Sequence, residues 1–238
     1  MNGFLYGAVL QWRLDLRSRT MLITCYGVPL LFFAVMGGIF TSIMPEARDT
    51  LLASMTVFAV TMGAFIGLPP SLAEIYQSDM KNAYQVNGVP LCLGLILTNL
   101  SAFVHLFLMG VILYGVAPLS FDAKLPESPA VYFCSLALLI AVSLSVASVV
   151  GLGVKKTADT SMVSILLFMP SVMLSGIMFP AELLPKVFGT VGRLFPATWG
   201  YELLRENGIA WHSLWPLLAI LCLAGLACVL LLRRIRTR

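Results

Sequence analysis

Six apolar runs, a very low share of charge, and a stretch between residues 174 and 205 broken three times by proline predict an all-α integral membrane protein. Of the 238 residues, 59% are hydrophobic and 11% charged, against about 25% charged in ordinary soluble domains. A soluble fold could not cover its surface from that supply, so the bilayer is the natural solvent. The chain reads as a single transmembrane domain, residues 1–238, with six transmembrane helices behind an N-terminal interfacial helix. A net charge of +4, with arginines at the ends of apolar runs and no extended basic face, excludes nucleic acid as a partner.

Residues 1–20 open the chain as an amphipathic helix. Leu5, Val9, Trp12 and Leu16 share one stripe, and Arg13 and Arg17 stand one turn apart beside it. Such a helix lies in the headgroup layer with Trp12 at the interface. Charges interrupt any apolar core before residue 20, the wrong order for a cleaved leader, so the mature chain is expected to begin at or near Met1. The first span follows over 21–43, long enough to cross a core of roughly 30 Å. After the short polar turn 45–50, the second runs over 51–73. Its Gly63 and Gly67, four apart, suit close packing within the chain or against a second copy. Pro69 and Pro70 are expected to end or kink it.

The segment 74–88 is polar, yet Ile75, Tyr76, Met80, Ala83 and Tyr84 recur at helical spacing and Asn87-Gly88 closes it as a C-cap would. A surface helix on lipid headgroups and a docking element for a cytoplasmic partner both fit. The third span, 90–116, holds Asn99 and His105, the strongly polar side chains deep in the apolar runs. Both are read as groups satisfied between helices or lining a path. The fourth span is 130–154, rich in serine and stopped by Lys155-Lys156. The fifth starts near Ser161 and reaches Ser175-Gly176. The sixth, 214–232, has Trp211 and Trp215 at one end and four arginines at the other, as the two faces of a bilayer require. Cys25, Cys92, Cys134, Cys222 and Cys228 all lie in or beside apolar runs and read as small hydrophobes, with no metal or disulfide pattern.

Between the fifth and sixth spans, Pro180, Pro185 and Pro196 change the direction of the chain. Leu184, Val187, Phe188, Val191, Leu194 and Phe195 fall at three- and four-residue steps, which suits a short helix lying along a membrane surface or dipping partly into it. An apolar helix ending in Ser-Gly, a Phe-Pro turn, this amphipathic piece, a second Phe-Pro and an aromatic segment together resemble the C-terminal signature of ABC type-2 transporter permeases. The resemblance implies an extracellular re-entrant helical hairpin over 179–208, with Phe179, Pro180, Pro185, Phe195 and Pro196 forming an outer gate. It also implies that 74–88 is a cytoplasmic coupling loop. Tyr76, Met80 and Tyr84, with Arg13 and Arg17 of the first helix, would then dock a separate ABC ATPase subunit. A second permease subunit would complete the translocation path, which Asn99 and His105 would line. No cofactor is expected on this chain, ATP being bound by the partner.

With both termini on one side, that side receives ten of the 15 Lys and Arg residues, so both termini are expected to be cytoplasmic and the hairpin outside. The expected setting is the plasma membrane of a bacterium. No Asp, Glu, Lys or Arg falls mid-span, although ion-driven carriers commonly place charge there. Nor does the chain carry a nucleotide-binding motif, since the glycines before Lys155 lack the Gly-Lys-Ser/Thr ending of a phosphate loop. Energy for uphill export would therefore enter from a partner ATPase, and the chain itself is not expected to be an enzyme. Two other readings stand beside this one. A lipid-modifying membrane enzyme would draw on Glu182, Glu202, Glu206 and His212, and a non-transporting scaffold subunit would keep the architecture alone.

Overall fold

The computed structural model describes residues 3–77, 84, 86, 88–154, 157–178, 185–206 and 211–236, and these form helices and turns without a strand. The helices are α1 (Gly3–Arg17), α2 (Arg19–Ile43), α3 (Leu51–Gln77), α4 (Leu91–Phe121), α5 (Pro129–Gly153), α6 (Thr157–Leu174), α7 (Lys186–Gly192), α8 (Pro196–Arg205) and α9 (Trp211–Arg236). Of these, α2, α3, α4, α5 and α9 are long and apolar enough to cross a bilayer. The chain is a multi-pass membrane protein. The apolar part of α6, Asp159–Leu174, is shorter. At about 1.5 Å per residue it reaches about 24 Å, less than the roughly 30 Å hydrocarbon core. The six apolar runs thus become five full-length helices and one shorter one.

Helix α3 is the axis of the bundle. Every residue from Leu51 to Thr61 is buried, because α2, α4, α5, α6 and α8 all pack against it. By contrast, Leu31, Val35 and Ile39 of α2 and Leu223, Leu226 and Leu230 of α9 are exposed apolar side chains that suit lipid. Buried hydroxyls are satisfied between or within helices: Thr56 and Tyr132 share a 2.7 Å hydrogen bond joining α3 to α5, and Thr61 donates to the Val57 carbonyl.

Helix α3 does not end at Pro69 and Pro70 but continues to Gln77. The reason lies one turn earlier, where residues Gly63–Gly67 form a π-helical turn. A proline ring clashes with the carbonyl four residues back, and a widened turn makes room for it. In α2 the same device precedes Pro29, with a π turn over Ile23–Gly27. The two wide turns lie against each other, and the Cβ position of Gly63 comes within 3.4 Å of the Cys25 sulfur. Gly63 and Gly67 therefore serve close packing inside the chain, on Leu106, Cys25 and Thr24.

Two ends of the bundle can be distinguished. At one, Arg48 meets Asp122 at 4.0 Å and the Lys124 N–H donates to the Arg48 carbonyl, joining the turn after α2 to the loop after α4. That loop begins with Asp122 in the left-handed region, one turn later than the predicted end of the span. Helices α7 and α8 lie at this end, which is called the hairpin end after the expectation from the sequence. At the opposite end, the Gln77 side-chain amide donates to the Val154 carbonyl, tying the end of α3 to that of α5.

Candidate functional site

The opposite end brings together two of the residues expected to dock a partner, Tyr76 and Tyr84. Tyr76 is 5% exposed. Its hydroxyl donates to the Leu91 carbonyl and accepts from the Leu95 N–H at 2.8 Å, so it bridges two groups of α4 that a regular helix would pair with each other. Tyr84 is half-buried and lies with Tyr76 and Ile75 around Gly94 of α4. The helical stripe seen in the sequence thus faces the protein's own bundle at these positions. Gly88 has φ +66° and the Val89 N–H bonds the Tyr84 carbonyl at 2.9 Å, the six-to-one closure of a helix ended by glycine. Among the described residues of the segment, the side chains of Glu74 and Val86 are exposed, the latter 86%. Met80 lies outside the described residues. Arg13 and Arg17 are exposed on α1.

Helix α1 is held to α4 by a polar and aromatic clasp. The Trp12 indole stacks on the His105 imidazole at 4.2 Å with 9° between planes. Tyr26 of α2 shares a 2.8 Å hydrogen bond with His105 Nδ1, and His105 Nε2 is buried without a hydrogen bond among the described residues. Asp15 accepts from Gln11 and from Ser101 of α4. His105 is therefore enclosed within the chain. Asn99 is half-buried and exchanges hydrogen bonds with Ser148 of α5, donating at 3.0 Å and accepting at 3.1 Å. Asn99 thus joins α4 to α5, and His105 joins α4 to α1 and α2.

At the hairpin end, the second Phe-Pro pair has a clear local logic. Pro196 occupies the first position of α8, where its missing N–H is no loss. Phe195 precedes it in extended conformation. The first turn of α8 then folds back on the end of α7: Thr198 donates to the Gly192 carbonyl at 2.6 Å and the Trp199 indole N–H to the Arg193 carbonyl at 2.7 Å. Side chains of one helix thus satisfy the last carbonyls of the other, and the corner is fixed. Pro185 immediately precedes α7. Phe179 and Pro180 lie outside the described residues, as does Glu182. Val187, Phe188, Val191 and Leu194 form an exposed apolar stripe suited to a membrane surface. Removing both donors, with Thr198→Val and Trp199→Phe, is expected to lower stability by about 2 kcal/mol, read as a fall in melting temperature. An unchanged melting temperature would mean that the corner holds without these bonds.

Helix α8 is tied onward to α9, Ser213 donating to Glu202 at 3.3 Å and His212 lying 3.3 Å from Glu206. Between this hairpin and the ends of α2 and α3 lies a cavity of about 1620 Å³. The cavity and the clasp were not foreseen from the sequence. Trp12 and Tyr26 were visible as interfacial or apolar residues, but nothing in the spacing joins them to a histidine far along the chain.

Comparison with known families gives one match that spans most of the chain: the ABC-2 type transporter family, over residues 4–209. No curated protein matches.

Proposed function

Since the chain belongs to the ABC-2 type transporter family, we propose that it is the permease subunit of an ATP-driven exporter, working as a dimer with separate ATPase subunits. The family match over residues 4–209 carries this reading. In it the shorter helix α6 is the remaining crossing, completing six. Both termini and the loop after α3 then face the cytoplasm, and α7 and α8 form the extracellular re-entrant hairpin. The excess of Lys and Arg at the end holding α1 and the C-terminus supports that orientation.

The ATPase would dock on the segment after α3, with Val86 as an exposed apolar contact and Arg13 and Arg17 at its rim. Tyr76 and Tyr84 would act behind that face. Through Leu91, Leu95 and Gly94 they join the docking segment to α4, so a push on the segment passes to the third span. The clasp between α1 and α4 would make the N-terminal helix move with it. The cargo would cross between two copies of the chain, and the hairpin would gate the exit.

The test begins with the ATPase that copurifies with the tagged chain. In the reconstituted pair, Val86→Asp with Arg13→Glu is expected to reduce permease-stimulated ATP hydrolysis by about tenfold or more, because one charge is placed where an apolar interface must desolvate it and another is reversed at its rim. The melting temperature of the permease should not change. Failure of any ATPase to copurify, or full stimulation by the double variant, would count against the proposal.

A further inference from the structure

The cavity under the hairpin is amphipathic in a directed way. Its wall from α2 and the end of α6 is apolar, with Phe40, Ile43 and Leu174. The facing helices α7 and α8 contribute Lys186, Arg193 and Arg205, which make no ion pair among the described residues. Two carboxylates share that side of the lining, Glu202, which accepts from Ser213, and Glu206, which lies 3.3 Å from His212. A third, Glu46, stands across the cavity in the turn after α2. On the α7 and α8 side three cations thus stand against two carboxylates, an excess of one positive charge beside an apolar wall. Two tryptophans, Trp199 and Trp215, complete the lining, the residue type that settles where headgroups meet hydrocarbon.

We propose that this cavity binds an amphipathic molecule with an anionic head, a phosphate or carboxylate. The head lies on Lys186, Arg193 and Arg205, and the tail lies along Phe40, Ile43 and Leu174. Guanidinium groups suit this role because their fork matches two oxygens of a phosphate or carboxylate at once. At about 1620 Å³ the cavity exceeds the usual 300–1000 Å³ of small-molecule pockets and accommodates a head together with part of a chain. Lipid of the outer leaflet and an exported amphipath share this chemistry. The inference rests on the proposed reading for placing the hairpin at the outer leaflet. Binding itself requires neither ATP nor an ATPase, so failure of coupling and failure of binding are separate results.

The experiment is equilibrium binding of hexyl phosphate to the purified chain in phosphatidylcholine nanodiscs. Inorganic phosphate and hexyltrimethylammonium are the comparison probes. Hexyl phosphate is expected to bind at least about tenfold more tightly than either, since only it fills both halves of the cavity. Lys186→Gln with Arg193→Gln should weaken it by about tenfold or more. Lys124→Gln, an exposed charge at the same end outside the lining, should not. The proposal is overturned if inorganic phosphate binds as well as hexyl phosphate, if the quaternary ammonium probe binds equally, or if the double variant keeps its affinity. Adding phosphatidylglycerol to the nanodisc separates the sources. Competition identifies a bilayer lipid as the resident ligand, whereas undiminished binding identifies a soluble amphipath.

Discussion

Replacing Gly151 by leucine is expected to prevent the bundle from forming in its native arrangement. A Cβ at this position would stand 2.9 Å from the Leu72 Cβ and 3.1 and 3.2 Å from the backbone oxygen and Cα of Pro69. Two of those atoms are main chain, at the contact where α3 and α5 touch, and a proline cannot rotate out of the way. Neither helix has slack there, since the end of α3 is also tied to Val154 by Gln77. Overpacking of a tight core contact commonly costs about 1–3 kcal/mol, and a whole isobutyl group against backbone belongs at or above the top of that range. Gly225 of α9, whose Cβ position meets nothing within 4 Å, is the control. Thermal unfolding and size-exclusion behaviour of the two leucine variants should differ sharply. If the Gly151 and Gly225 variants are equally stable, the close helix contact described above is wrong.

The second large effect is expected at Trp12. Trp12→Ala removes the ring that covers His105 and leaves the imidazole, with one nitrogen already unpartnered, facing a void. Trp12 is half-buried, so the loss should be about 2–3 kcal/mol, below that of a fully enclosed tryptophan. Helix α1 has few other anchors on the bundle: Asp15 on Ser101 and the contact of Gly7 with Leu97. Its release should therefore show locally before global unfolding, as faster tryptic cleavage at the exposed Arg17 and Arg19. Trp12→Phe, which keeps an aromatic ring over the imidazole, should restore much of the protection. Equal cleavage rates in all three proteins would dismiss the clasp as an anchor.

The elements that sequence alone made legible are those governed by one-dimensional rules. Runs of apolar residues located α2, α4, α5 and α9 to within a few residues, because a bilayer imposes length and composition directly. The proline-broken stretch likewise marked α7 and α8. What it did not reveal was why threonine and tryptophan follow the second Phe-Pro, since those side chains serve carbonyls six residues back. Helical spacing found the stripe through Tyr76 and Tyr84, yet spacing carries no sign. A stripe facing its own bundle and one facing a partner have the same period, and only the hydrogen bonds of the Tyr76 hydroxyl to Leu91 and Leu95 settle its direction. The burial of α3 on all sides was hidden for a related reason. Lipid and protein core select the same apolar residues, so α2 and α3 look alike until neighbours are assigned.

The adjoining π turns of α2 and α3 have a mechanical consequence. Each holds one residue more than a regular turn needs, and such a surplus can migrate along a helix by exchanging hydrogen-bond partners, without a net loss of bonds. Every step rotates the side chains it passes by about 100°. Two neighbouring helices with their spare residues at the same depth therefore share a plane in which torsion is cheap. Twist between the layers on either side of that plane would gather where Cys25 faces Gly63.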